Sequence, residues 1–346
     1  MIIHSIAGAA GNIQKFFLFL KNGMCPGRMT EIKIRNGEDR KMEIQSIDIV
    51  GLGALGVMYA DFFTGKLGKE HVRVLADSAR IERYRRTPVT FNGKICDFQY
   101  CDAAKERRPA ELILFAVKYG ALEDAMEEVA HLVEEHTILL SALNGIRSEE
   151  DLGRRFGAEK VVHCIAQKMD ALKEGNAASC TNHGELALGI MGEDRQENLD
   201  AVVAFFERTG FSYSCPEDIR HAMWSKLLCN VGVNQTVTWY AGTYSTVQQE
   251  GEAREMMKAA MEEVILVANA EGVGLSKRDL EQWVSIIDTL NPDGEPSMRQ
   301  DSKAGRKTEV SLFAGTICEL GRKHGIATPV NDRFLDKWGT AKAFCR

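Results

Sequence analysis

The chain has 346 residues with 45% hydrophobic and 27% charged side chains, the make-up of an ordinary globular protein, and seven prolines exclude a long disordered tract on composition. A formal charge of −6 gives no global basic field, which argues against a nucleic-acid partner. The length exceeds one average core and suits two domains.

Residues 1–41 stand apart. IQKFFLFLK is too short to span a bilayer and lacks a basic segment ahead of it, so neither membrane anchor nor signal is expected. The segment reads as a poorly ordered extension before Met42, with an interfacial helix using Phe16, Phe17 and Phe19 as the alternative. The nine cysteines show no Cys-x-x-Cys pair and no zinc-type Cys/His spacing. They read as reduced thiols in a cytoplasmic protein, with no metal site.

From Glu43 the pattern becomes regular. IQSIDIV is a β-branched run, GLGALG follows, and VMYADFFTGKLG has a helical pattern ending in glycine. HVRVLA, ELILFAV and HTILLSAL are further strands, with helical LEDAMEEVAHLVEE between the last two. VVHCIAQK and GELALGI read as later strands and NLDAVVAFFERTG as an amphipathic helix. Strands alternating with helices predict an α/β domain, a Rossmann-type parallel sheet covered on both faces, over 42–216. After Cys215-Pro216 strand-like runs give way to helical periodicity, so 217–346 is expected to be an all-helical C-terminal domain. Its segments are TVQQEGEAREMMKAAMEEVILVANAEG stopped at Gly272, a block over Ser276 to Leu290, and, after NPDGEPS, a long helix from Met298 to His324.

Gly51, Gly53 and Gly56 form Gly-x-Gly-x-x-Gly between a strand and a helix, the context that lifts this pattern above chance. The first glycine permits the turn, the second lets backbone approach a pyrophosphate, the third allows close packing, and the helix N-terminus favours negative charge. Asp77, closing the next strand, suits an unphosphorylated ribose and therefore NAD. Arg80, Arg83, Arg85 and Arg86 follow, and guanidinium groups suit the 2′-phosphate of NADP; a solvated helix face is the other account of them. Lys118 and Asn144-Gly145 each follow a strand on its carboxyl side, where open α/β sheets bind ligands, although a first-turn lysine and a plain turn explain them equally.

His221 to Asn234 reads HAMWSKLLCNVGVN. In a regular helix Lys226, Asn230 and Asn234 share one face, while Met223, Leu227, Leu228, Val231, Val233 and Val237 make the remainder apolar. A buried polar ridge needs partners. Either Lys226 reaches solvent while the asparagines bond to backbone, or the ridge lines a ligand cleft in which the ammonium delivers a proton to a forming alkoxide. Gly232 inside the run points to close packing or ligand approach. Ser297 to Glu309, SMRQDSKAGRKTE, puts a carboxylate where charge gives way to core; a capped, solvated helix is the rival account.

Together GLGALG, the Lys118 segment, Asn144-Gly145, WSKLLCNVGVN, SMRQDSKAGRKTE and the terminal ATPVN resemble the ketopantoate reductase (2-dehydropantoate 2-reductase) family, from about Met42 nearly to the C-terminus. The resemblance implies a Rossmann domain followed by a helical domain, with the active site in the cleft between them. It implies Lys226 as general acid and Glu309 completing the catalytic constellation. Asn230, Asn234, Ser297 and Asn144 would then bind substrate. Gly51, Leu52, Gly53, Ala54, Leu55 and Gly56, with Asp77, Arg80, Lys118 and Asn144, would hold the cofactor. The implied reaction is reduction of a small 2-oxo acid by NADPH, in pantothenate biosynthesis. Many relatives of this type carry arginine about where this chain has Asp77, which keeps NAD open. A same-fold reductase of another 2-oxo acid and a non-catalytic dinucleotide sensor are the alternatives, and a homodimer is one option for assembly.

Overall fold

The computed structural model describes residues 43–192 and 196–338; the expectations for residues 1–41 lie outside the described residues. The chain divides into two compact units between Arg220 and His221.

The first unit opens with strand β1 (Ile47–Val50), helix α1 (Ala54–Leu67), β2 (Val72–Ala76) and α2 (Ser78–Arg86). Short strands β3 (Thr90–Phe91) and β4 (Lys94–Ile95) precede β5 (Gln99–Asp102), β6 (Leu112–Phe115), α3 (Leu122–Val129), β7 (Ile138–Ser141) and α4 (Ser148–Phe156). Then come β8 (His163–Gln167), β9 (Leu172–Glu174), β10 (Ala177–Ser179), β11 (Glu185–Gly189), α5 (Gln196–Thr209) and β12 (Tyr213–Ser214). The central sheet runs β5-β2-β1-β6-β7, and every neighbouring pair is parallel. Every residue of β1, β2, β6 and β7 is buried, which is why these strands read as continuous apolar runs without alternation.

The two faces of this sheet carry separate cores. Ile47, Ile49, Val74 and Leu114 pack with Val57 and Phe63 of α1 and Phe205 and Phe206 of α5. Val50, Ile113 and Leu139 pack with Ala125 and Met126 of α3 and Leu152 of α4. Each such large side chain contributes about 1.5–3 kcal/mol by leaving water. The polar exception is an ion pair across the β1–β2 register: Arg73 donates to both carboxylate oxygens of Asp48 and to the carbonyls of Arg108 and Pro109. Such a pair adds little net stability, but loss of either member strands the other at a cost of about 3–5 kcal/mol.

Two expected strands lie outside the central sheet. β8 and β11 pair antiparallel and, with β12, form a three-stranded sheet, while β4-β3-β10-β9 make a second small sheet. The parallel edge strand β5 and the small sheet β4-β3-β10-β9 carried no sequence signal, since strands of two to four partly exposed residues show no periodicity.

The second unit is helical. α6 (Ile219–Cys229) runs into a π-helical turn at Asn230–Asn234 and continues as α7 (Gln235–Trp239). α8 (Ser245–Gln248), α9 (Glu252–Ala270), α10 (Lys277–Ile287), α11 (Ser297–Lys303), α12 (Ala314–His324) and α13 (Pro329–Trp338) follow. α9 is central, packing on the π turn, α12 and α13. It stops at Gly272, whose φ of 77° suits glycine, and α10 starts with a Ser276–Asp279 capping box. The single helix expected from Met298 to His324 is instead α11 and α12. Gly305, at φ 66°, ends α11 in the left-handed conformation, and Arg306 folds back to bond the Asp301 carbonyl through its amide and the Asp301 carboxylate through Nε, both at 2.8 Å. α13, not anticipated as a helix, starts at Pro329 and is capped by Glu263 of α9, which accepts from the amides of Val330 (2.7 Å) and Asn331 (3.0 Å).

Candidate active site

The predicted positions of the first unit lie at the carboxyl ends of the parallel strands: Gly51 after β1, Asp77 after β2, Lys118 after β6 and Asn144 after β7. Strand order reverses between β1 and β6, the topological switch point at which open α/β sheets bind ligands. The glycine turn is built against that point. Gly51 has φ 97°, and a Cβ there would stand 2.6 Å from Val117 Cγ1. A Cβ on Gly56 would stand 1.9 Å from the Gly51 carbonyl oxygen, so the turn and α1 close only around hydrogen. A Cβ on Gly53 would meet nothing nearer than Ala116 O at 3.5 Å. Room in front of Gly53 is therefore not filled by the protein. Leu52 is buried, while Ala54 and Leu55 open α1, whose first turn holds no acidic side chain and presents amides without intrahelical partners. These features fit a dinucleotide pyrophosphate.

Asp77 is the N-cap of α2. Its carboxylate accepts from the Arg80 amide at 2.7 Å and lies 3.2 Å from Arg80 Nε, so cap and guanidinium both engage it. Lys118 is exposed at the start of a 3-10 turn, and Asn144 is half-buried beside Gly145, whose φ is 87°.

In the second unit the run from Lys226 to Asn234 is not one regular helix. Lys226 sits in the last turn of α6, half-buried; Asn230 and Asn234 bound the π turn, where bonding to the fifth residue inserts one extra position. The turn brings the two asparagines together, Asn234 Nδ2 donating to Asn230 Oδ1 at a long 3.4 Å, and leaves the buried Asn230 Nδ2 without a protein partner. The Lys226 ammonium is close enough to oppose the effect of burial on Cys229, whose thiol is nonetheless pushed up to about 12. Gly232 is explained by packing: a Cβ would lie 2.5 Å from Met261 Cγ on α9. α11, which begins at the exposed Ser297, packs on this same turn and on α7, and Glu309 is buried in the segment joining α11 to α12.

Sequence reasoning missed the groups that hold the π turn. Gln235 Nε2 donates to Val231 O (2.9 Å) and Asn331 Oδ1 (3.3 Å), and Gln235 Oε1 accepts from Ala314 N (3.1 Å). Asn331 in turn donates to Glu263 at 2.7 Å. The available signal was a glutamine and an asparagine inside apolar runs, since buried amides require partners. Among the described residues no helix is long and apolar enough to cross a membrane, and no three His, Cys, Asp or Glu side chains converge as metal ligands would.

A parallel sheet in this strand order, with a glycine turn at its switch point and a helical unit after it, defines an α/β chain of the Rossmann class. Comparison with known proteins narrows the class. The family model described as ketopantoate reductase PanE/ApbA matches residues 47–193, and that described as ketopantoate reductase PanE/ApbA C terminal matches 218–339. The chain belongs to the ketopantoate reductase family, a family of oxidoreductases. It is 24% identical over 300 residues to a 2-dehydropantoate 2-reductase of Aquifex aeolicus (strain VF5), covering 85% of this chain and 96% of that one. The solved 2-dehydropantoate 2-reductase of Geobacter metallireducens GS-15 superposes with a TM-score of 0.73 at 25% identity, covering 84% of this chain and 99% of that one. A D-mandelate dehydrogenase solved with NADH and anilino(oxo)acetate shares the fold, with a TM-score of 0.75 at 21% identity over 84% of this chain and 96% of that one.

Proposed function

We propose that the chain reduces a 2-oxo acid, 2-dehydropantoate to pantoate, with NADPH as the reductant and Lys226 as general acid. The observation that carries the reading is the π turn: it sets Asn230, with a buried amide donor to spare, one turn beyond a half-buried lysine in an otherwise apolar segment. The family match across both units supports the substrate class. The glycine turn at Gly51, Gly53 and Gly56 would hold the cofactor, which when bound would supply the hydride for the C2 carbonyl carbon. Lys226 delivers a proton from Nζ to the carbonyl oxygen as negative charge develops there, Asn230 and Asn234 orient the acid, and Ser297 bonds to it. Glu309 holds the lysine charged. Asp77 already serves as a helix cap, which favours a cofactor that does not need its carboxylate for a free ribose hydroxyl, hence NADPH over NADH.

A second reading keeps the reaction and changes the acid, because the D-mandelate dehydrogenase shows the same fold serving another member of this oxidoreductase class. The test is oxidation of NADPH and NADH, followed at 340 nm, with ketopantoate and a panel of 2-oxo acids. Turnover of ketopantoate above the others supports the first reading. Preference for another acid supports the second. Tight cofactor binding with no turnover of any acid overturns both and leaves a dinucleotide sensor.

A further inference from the structure

A lysine from outside the central sheet reaches the glycine turn. Lys173 is the middle residue of β9, an edge strand of the β4-β3-β10-β9 sheet, and β9 packs on α1. Its ammonium donates to the carbonyl oxygen of Leu52, the residue between Gly51 and Gly53. Burial, aided by the neighbouring Arg83 guanidinium, holds its pKa below the usual lysine range, and no carboxylate counters either effect. Lys173 has no ion-pair partner among the described residues. A half-buried ammonium beside a like charge, without an anion, is an unfavourable arrangement in the free protein that a bound anion would relieve. An ammonium has three donor protons; the Leu52 carbonyl takes one and fixes the group beside the turn, leaving two.

We propose that Lys173 is a cofactor-binding residue, donating to a phosphate oxyanion of the dinucleotide held at the glycine turn. The inference rests on the reading of that turn as the cofactor cradle and adds to it a residue 121 positions away in sequence, which the turn motif does not contain. Two oxyanions of this chemistry exist on the cofactor, the pyrophosphate shared by NADH and NADPH and the 2′-phosphate of NADPH alone.

The test is direct titration of wild type, Lys173→Met and Lys173→Arg with NADPH and with NADH, followed by nicotinamide fluorescence at low and high ionic strength, each variant first checked for native circular dichroism. Loss of one charge-assisted contact predicts binding about 10-fold weaker for Lys173→Met at low salt, with a flatter salt dependence, and recovery in Lys173→Arg. A loss for both cofactors places the lysine on the pyrophosphate; a loss for NADPH alone places it on the 2′-phosphate. Either supports the proposal. Wild-type affinity in Lys173→Met overturns it. So does a loss that is equal at every ionic strength and not recovered by arginine, which would make the bond to Leu52 a tether and nothing more. If the wild type binds neither dinucleotide, the cradle reading falls and this inference with it.

Discussion

The side-chain amide of Gln235 donates to the carbonyl oxygen of Val231, 2.9 Å away and four residues back, inside the π turn. Fully buried, Gln235 also receives the Ala314 amide, so one carboxamide ties the turn to the start of α12. Gln235→Leu preserves volume but strands a buried carbonyl and a buried N–H. Urea unfolding is expected to show a loss on the order of 3 kcal/mol. A loss below about 0.5 kcal/mol would mean that water replaces the amide.

Gly53 and Gly56 should respond oppositely to the same methyl group. A Cβ on Gly56 collides with backbone at 1.9 Å, which no rotamer relieves, so Gly56→Ala is expected to lower the thermal midpoint markedly. Gly53→Ala meets only Ala116 O at 3.5 Å and should fold normally while binding NADPH at least about 10-fold more weakly, because its methyl enters the space the cofactor needs. Unchanged affinity in a folded Gly53→Ala would place the pyrophosphate elsewhere.

Lys226→Ala should separate chemistry from binding. Removing a general acid costs about 100-fold or more in kcat, while the glycine turn is untouched and dissociation constants for NADPH should stay at the wild-type value. A variant with wild-type kcat would remove Lys226 from the mechanism.

His163 on β8 gives a pH signature for stability. Burial pushes its imidazole down to about 4, and its Nδ1 has no partner. The unfolded chain takes up this proton as pH falls through about 6.5, whereas the folded chain resists until about 4. The unfolded state therefore binds more protons in that window, and stability declines with falling pH by up to about 1.4 kcal/mol per unit from this residue. His163→Leu should lack that contribution, so the difference between the two proteins in urea midpoint should change between pH 7 and pH 5. A constant difference would show that His163 is not the titrating group.

The parts legible in the sequence were those in which burial imposes a simple pattern. Leu112–Phe115 is buried on both faces and reads as an unbroken apolar run, Ile47–Val50 and Ile138–Ser141 are equally buried and depart from one only at Asp48 and Ser141, and Gly51 to Gly56 carries its geometry in its spacing. Lys94–Ile95 and Leu172–Glu174 are too short and too exposed to leave a period, so the small sheet that carries Lys173 was invisible. The π turn was hidden for the opposite reason: residues Val231 to Thr238 are all buried, and where every position is buried no period reveals whether a turn holds one residue more. Gly305 was a legible stop that the periodicity on either side overran. Asp77, Lys118 and Asn144 could be placed at the carboxyl ends of strands from sequence because each lies within three residues of a buried strand. Gln235, Asn331 and Lys173 act across long sequence separations, which no local pattern records.

The pairing of β1 with β6 also bears on how the molecule is made. Val50 pairs with Phe115, far downstream, and the Ala116 amide bonds the Val50 carbonyl at 2.8 Å beside Gly51. The early ribbon of β1, α1 and β2 can assemble as it leaves the ribosome, yet one wall of the glycine turn is missing until the strand at Leu112–Phe115 has arrived and slotted in beside β1. Closure of that long loop is an entropic step that local helix formation cannot hasten. A nascent chain therefore closes its glycine turn late, when the crossover completes, and not when the glycines themselves emerge.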